Sequence, residues 1–187
     1  PMRGAVTWKS TVGTNVASDA LSNLSSAGVM GGALIILGED YGEGSSIIQE
    51  RTHAFAMKCS MWLMDPRPNH PRAVELIETG FELSEATHTP VMVEFRIRAC
   101  HVTGRFATKD NKQGIYSTNR PLPKPEFSLD RIALPPGTYL QEKLKIEQRF
   151  PAAIDFIRER KLNEVFDGPL DDVGIICQGG LFNSVIR

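Results

Sequence analysis

Residues 32–49, GALIILGEDYGEGSSIIQ, constrain this chain more than any other stretch. The run at 33–37 is apolar without alternation, the pattern of a strand buried on both faces in the middle of a parallel sheet. It passes directly into an acidic loop rich in glycine and serine, and that loop opens a helix. In an α/β sheet such a junction lies at the carboxyl end of a strand, where ligands bind. The expected fold class is therefore α/β with a parallel sheet, and its first place to search for a site is residues 38–46.

The order of elements supports this. Residues 5–8 read as a short buried strand and 15–26 as a helix, with Val16, Ala20, Leu24 and Ala27 on one stripe and Gly28 as the C-cap. After the strand at 33–37, a helix capped by Ser45 or Ser46 is expected to run to about Lys58, followed by a strand at 61–64. Pro71 opens a helix to about Thr87, with Val74, Ile77, Phe81, Leu83 and Ala86 toward the core. A strand at 91–98 follows Pro90. Strand and helix alternating at this spacing make a βαβ sheet.

From about Thr103 to Pro136 the periodicity lapses into Gly, Pro, Asn and Lys, the mark of an extended linker or arm. A helix at 139–160, bent or broken at Pro151, and a strand at 170–178 complete the reading. The expected division is a first domain over 1–105, a linker over 106–138 and the start of a second α/β domain over 139–187. Because the sequence opens on a strand and closes two turns into a helix, it reads as a piece of a larger polypeptide.

Across 187 residues the formal net charge is −1 and no basic run occurs, so electrostatics give no reason to expect a nucleic acid or an anionic membrane as partner. No apolar run approaches the ~18–20 residues of a membrane span, and the opening PMRGAVTWKS has no signal-peptide core. Cys59, Cys100 and Cys177 are odd in number and far apart, which fits buried thiols in a reducing cytoplasm better than disulfides or a metal knuckle.

Several constellations invite chemistry. The glycines of residues 38–46 follow G-x-x-x-G-x-G, which is neither a dinucleotide fingerprint nor a Walker loop. Its three carboxylates repel a bare phosphate and call for a cation, a hydrogen-bonded neutral ring or solvent. Residues 9–15, KSTVGTN, form a second polar loop on the same edge, and the two loops together can enclose one ligand. Part of that polarity is explained by Thr14 or Asn15 capping a helix. Glu94, Arg96 and Arg98 share one strand face, either as a surface ion-pair ladder or, with Arg98 at the ligand edge, as a carboxylate-recognition group. Cys100 and His101, adjacent in extended chain, point apart and cannot act together unless the backbone turns there. The four histidines lack metal-ligand spacing and read as structural or capping groups.

In order along the chain, WKSTVGTNVASDALSNLSSAGVMGGALIILGEDYGEGSS, DPRPN and FELSEATHTPVMVEFRIRACHVTGRF resemble the alpha-type chain of indolepyruvate:ferredoxin oxidoreductase, in the 2-oxoacid:ferredoxin oxidoreductase superfamily. The match covers about the first 110 residues, and 139–187 look like the connector into that family's transketolase-C-like domain. The resemblance implies that residues 1–105 are a pyrimidine-type thiamine diphosphate domain. It also implies Mg²⁺ with the cofactor, iron–sulfur clusters elsewhere, coenzyme A as co-substrate, ferredoxin as electron acceptor, and a homodimer.

In such enzymes a glutamate on this domain hydrogen-bonds the aminopyrimidine. Here it is expected upstream of Pro1, so no catalytic residue is assigned within the chain. The GDG…N diphosphate and metal motif and the CxxCxxC cluster segments are also absent, and the isolated fragment is expected to be inactive. The resemblance makes Asn15, Ser45, Ser46 and Gln49 cofactor-facing residues and Asp40 a substrate-facing one. Pyruvate-using relatives carry an arginine where this chain has Glu39-Asp40, which points to another substrate such as indolepyruvate or a related aryl pyruvate. A non-catalytic α/β assembly module, docking through residues 103–136, is the alternative, and a free-standing nucleotide-binding domain is a third reading.

Overall fold

The computed structural model describes residues 2–40, 50–110, 124, 127–170 and 172–186. Four strands, β1 (Gly4–Lys9), β2 (Ala33–Glu39), β3 (Trp62–Met64) and β4 (Val91–Arg96), form one sheet in the order β1-β2-β4-β3. Every neighbouring pair is parallel, so all four carboxyl ends lie along one edge. The α/β expectation is the fold observed. The central strands β2 and β4 carry the most buried residues, as their continuous apolar runs require. The strand expected at 5–8 is not buried: β1 is the edge strand and is largely exposed.

Helices α1 (Ser18–Ala27) and α2 (Thr52–Cys59) cover one face of the sheet, where Leu21, Ile35, Leu37, Ala56, Cys59 and Met92 pack together. The other face packs Leu34, Val91 and Val93 against Leu76 and Leu83 of α3 (His70–Thr87) and Ala153 of α6 (Phe150–Glu159). Asn69 begins α3 by accepting the Arg72 backbone N–H at 3.1 Å, with Pro71 in the first turn. Gly28 ends α1 at φ 72°, a conformation that favours glycine.

Three helical expectations are corrected. A π-helical turn at Ser10–Thr14 advances the chain before α1 begins, so Ala17, Leu21 and Ser25 face inward while Ala20 and Leu24 face out and Val16 is 85% exposed. Neither Thr14 nor Asn15 caps α1, whose N-cap position is Ala17. On α3, Leu76, Gly80, Leu83, Ser84 and Thr87 form the buried stripe, and Val74 and Ala86 are exposed.

The strand expected to reach Arg98 stops at Arg96, where α4 (Ile97–Cys100) turns the backbone. Among the described residues of 170–178 there is no strand, and Ile176 is fully exposed. Helix α5 (Gly137–Leu144), a π turn at Lys145–Arg149 and α6 follow one another, so Pro151 sits in the first turn of α6 rather than breaking a longer helix. Arg149 at this junction donates to the carbonyls of Ser25, Ser26 and Ala27, which end α1. The chain closes with a 3-10 turn at Gly179–Leu181 and α7 (Phe182–Val185).

Candidate functional site

On the α1/α2 face, each inner strand changes character at its carboxyl end. In a strand, every second residue shares a face. Ile35 and Leu37 lead to Glu39, Met92 leads to Glu94 and Arg96, and Leu63 leads to Asp65 just past β3. The register places Leu37 beside Glu94 and Glu39 beside Arg96. A hydrophobic layer thus ends in a row of four ionisable side chains, all of them mostly withdrawn from solvent.

Glu94 is 1% exposed and Glu39 2%. Neither oxygen of Glu94 accepts a hydrogen bond, although Arg96 Nε stands 3.4 Å from its Oε1. Burial, with Glu39 and Asp65 nearby, pushes the Glu94 carboxyl up to about 8 against the opposing charge of Arg96. Glu94 is therefore mostly neutral at pH 7. Burial raises Asp65 as well, opposed by Arg96, which bonds its Oδ2 from Nε and Nη2 at 3.2 and 3.1 Å. Glu39 accepts the Thr52 backbone N–H at 2.7 Å through Oε2 and so holds the start of α2, while its Oε1 has no partner.

Among the described residues, most buried side-chain atoms without a hydrogen-bond partner gather here: besides Glu39 and Glu94 they belong to Ser10, Glu50, Thr52 and His53, which follow or face the carboxyl ends of the strands, and the exception is Arg72 Nε on α3. Native interiors leave few such groups, and each asks for an explanation. The Gly179–Gly180 turn closes one side: Gly180 N donates to Asp65 Oδ1 at 2.9 Å, and Arg96 Nη2 donates to Gln178 Oε1. A Cβ on Gly180 would stand 2.3 Å from Arg96 Cδ, and one on Gly179 1.9 Å from the Asp65 carbonyl oxygen, so only glycine permits this approach.

The two polar loops begin side by side. Lys9 is paired with Gly38 in the sheet, and its Nζ lies 3.1 Å from Asp40 Oδ2. Asp40 is half-buried, and Asn15 is exposed just beyond the π turn. Thr14 is buried, its hydroxyl accepting the Trp8 indole N–H at 3.0 Å. Ser45, Ser46 and Gln49 lie outside the described residues.

Other expectations fare differently. Glu94 and Arg96 do share a face, but in the interior rather than as a surface ladder, and Arg98 lies on α4, donating to Ser184 Oγ at 3.3 Å. The backbone does turn at Cys100 and His101, yet the Cys100 thiol points back to the Phe95 carbonyl and burial raises its pKa. Cys59 is buried as expected, whereas Cys100 and Cys177 are exposed. His88 caps α3 and meets the Val29 carbonyl at 3.2 Å, and His70 meets that of Val102 at 3.2 Å. Among the described residues no group of three or more His, Cys, Asp or Glu side chains is arranged to hold a metal ion. Nor is any described helix long and apolar enough to cross a membrane.

No protein-family profile matches the chain, and no solved structure matches it. It is similar to curated proteins named indolepyruvate oxidoreductase subunit IorA. Identity is 29% over 185 residues to that of Methanothermobacter thermautotrophicus, covering 96% of this chain and 28% of the relative. It is 28% over 183 residues to that of Methanothermobacter marburgensis, with the same coverage. To that of Pyrococcus abyssi it is 27% over 180 residues, covering 94% of this chain and 27% of the relative. The chain thus spans little more than a quarter of the length of the curated relatives it matches, and its similarity to them agrees with the resemblance its motifs carry.

Proposed function

We propose that this chain supplies one wall of the thiamine diphosphate site of a 2-oxoacid:ferredoxin oxidoreductase whose substrate is indolepyruvate or another aryl pyruvate. The observation that carries the reading is the set of buried, unpaired polar atoms of Ser10, Glu39, Thr52 and Glu94 at the carboxyl edge, in a chain similar to IorA along most of its length. A polar heteroaromatic ring, with donors and acceptors on its rim, suits those atoms. A bare diphosphate does not, because the carboxylates of Glu39, Asp40 and Asp65 would repel it.

The donor set therefore fits the pyrimidine end of the cofactor, and the diphosphate with its Mg²⁺ belongs to another domain. When bound, thiamine diphosphate supplies the carbon nucleophile that decarboxylates a 2-oxo acid, whose electrons then leave through iron–sulfur clusters to ferredoxin. This chain's part is to bind and orient. The Lys9–Asp40 pair ties the two loops together, Glu39 fixes the start of α2, and Arg96 holds Asp65 and Gln178 in place. Asn15, Ser45, Ser46 and Gln49 are the proposed cofactor-facing residues, and Asp40 lies toward the substrate. The remaining domains or subunits, ferredoxin, coenzyme A and a second copy of the chain complete the enzyme, in the cytoplasm.

The test is the full-length protein assayed for thiamine-dependent reduction of ferredoxin or a viologen across a panel of 2-oxo acids. Turnover of indolepyruvate or phenylpyruvate, ahead of pyruvate, is expected. Pyruvate succeeding while both aryl pyruvates fail overturns the substrate assignment, and thiamine-independent behaviour throughout overturns the cofactor assignment in favour of an assembly module. The isolated fragment is expected neither to turn over nor to bind the cofactor firmly.

A further inference from the structure

A cavity of about 430 Å³ lies between the end of α3, helix α5, the π turn before α6 and a 3-10 turn at Leu129–Arg131. His88 in its wall precedes β4, so the cavity sits at the amino edge of the sheet, opposite the candidate site. Its volume falls in the range of small-molecule pockets. Two cations line it. Arg149 is 7% exposed and donates to neutral acceptors, the carbonyls of Ser25, Ser26 and Ala27 and Oε1 of Gln141. Arg131 makes no ion pair and no side-chain hydrogen bond among the described residues. Burial and then repulsion from Arg131 lower the pKa of Arg149, against the attraction of Glu142, so the two guanidiniums feel one another. Glu142 bonds Lys145 at 2.9 Å, and the carboxylate in the lining, Asp130, is exposed.

A basic side chain at a helix end ordinarily serves the last carbonyls. That duty explains Arg149, which closes α1. It does not explain Arg131, because the final carbonyls of α3 are already taken. Leu83 accepts the Thr87 hydroxyl, Ser84 the backbone N–H groups of His88 and Thr89, Thr87 the Thr89 hydroxyl, and His88 the Val29 N–H. Two neighbouring cations around a cavity, without a bonded carboxylate between them, attract an anion. We propose that this cavity binds a small organic phosphate, with its phosphoryl group on the Arg131 guanidinium in the field of Arg149 and its body along Leu144 and Ala152. The Arg131 fork, the Ser128 hydroxyl and the Gln148 amide come from separate elements, and a tetrahedral group with three oxygens suits donors so spread better than a planar carboxylate does.

This site is independent of the cofactor reading and lies outside the residues assigned to it. The test is calorimetric titration of the full-length protein, with thiamine diphosphate and Mg²⁺ in excess to fill any diphosphate site of their own. The probes are phenyl phosphate, inorganic phosphate and benzoate. Phenyl phosphate should bind saturably and more tightly than the other two. Arg131→Gln should weaken it roughly tenfold or more, the loss of a charge-assisted bond. The same variant should leave the melting temperature of the phosphate-free protein unchanged, since Arg131 has no partner to lose. Asp130→Asn should tighten binding by removing a like charge from the rim. The proposal is overturned if phenyl phosphate does not saturate, if Arg131→Gln binds it as wild type does, or if benzoate binds equally well. Phosphate binding that depends on Arg131 supports this site even in a protein without thiamine-dependent turnover, where the functional reading alone would fail.

Discussion

The two faces of this sheet are built from the same strands and end in different ways. On the α3/α6 face, Leu34, Ile36, Val91, Val93 and Phe95 stay apolar to the carboxyl edge. On the α1/α2 face the last positions become Glu39, Glu94, Arg96 and Asp65, mostly buried, and Glu39 and Glu94 keep carboxyl oxygens without a hydrogen-bond partner. A protein gains nothing in stability from unpaired buried carboxylates, since each forfeits hydration without a full replacement. The apolar face holds the fold together, and the other face gives up stability at the edge where loops gather. Such local breaches of the packing rules are expected at working sites.

The largest test of that contrast is Leu83→Ala on the apolar face. Leu83 is 1% exposed against Leu34, Val91 and their neighbours, and its truncation should cost about 3 kcal/mol, read as a lower denaturant midpoint at unchanged m-value. An effect below ~1 kcal/mol would mean that this face is not the main source of stability.

The charged face should show itself in the pH dependence of unfolding. The folded carboxyl of Glu94 titrates at about 8, against 4.5 for a free glutamate, so between these values the native state keeps a proton that the unfolded chain has released. Stability is greatest below pH 4.5 as far as this group is concerned and declines as pH rises to about 8. The slope has a ceiling of ~1.4 kcal/mol per pH unit. Denaturant melts at pH 6, 7 and 8 should reveal the decline, and Glu94→Gln should flatten it. A wild-type profile that is level or rises over this interval contradicts the assignment.

How far the sequence reveals these faces depends on the kind of signal. The central strands were legible because residues 33–37 and 91–93 are apolar without a break, a pattern with few other solutions. The phase of α1 was not, because the π turn at Ser10–Thr14 rotates the helix by a residue and swaps Val16 for Ala17 on the inner stripe. The segment 170–178 looked like a strand, but a strand needs a neighbour, and none is paired with its described residues. At the site, the rim of loops was readable from Gly38, Asp40 and the KSTVGTN turn. The alternation of Glu94 and Arg96 with Val93 and Phe95 was readable too. Alternation alone does not say whether the polar side faces water. Only the parallel steps Ile35-Leu37-Glu39 and Leu63-Asp65, taken together with Met92-Glu94-Arg96, reveal three buried rows turning charged at one edge.

The smallest expected effect belongs to a pair outside both faces. Arg3 meets Glu85 in a two-pronged bond, Nε to Oε1 at 2.7 Å and Nη2 to Oε2 at 2.8 Å, and its guanidinium lies 5.4 Å from the Phe81 ring centre. The hydrogen bond raises the pKa of Arg3 and lowers that of Glu85, so its geometry is better than that of any contact Glu94 makes. Its environment is not. Both side chains are substantially exposed, and water and salt compete for each charge. Arg3→Ala should therefore cost below ~1 kcal/mol in denaturant melts, and less still in high salt. If this bond proved worth more than the alkaline loss at Glu94, geometry rather than burial would govern electrostatics here, and the difference between the sheet's two faces would lose its energetic basis.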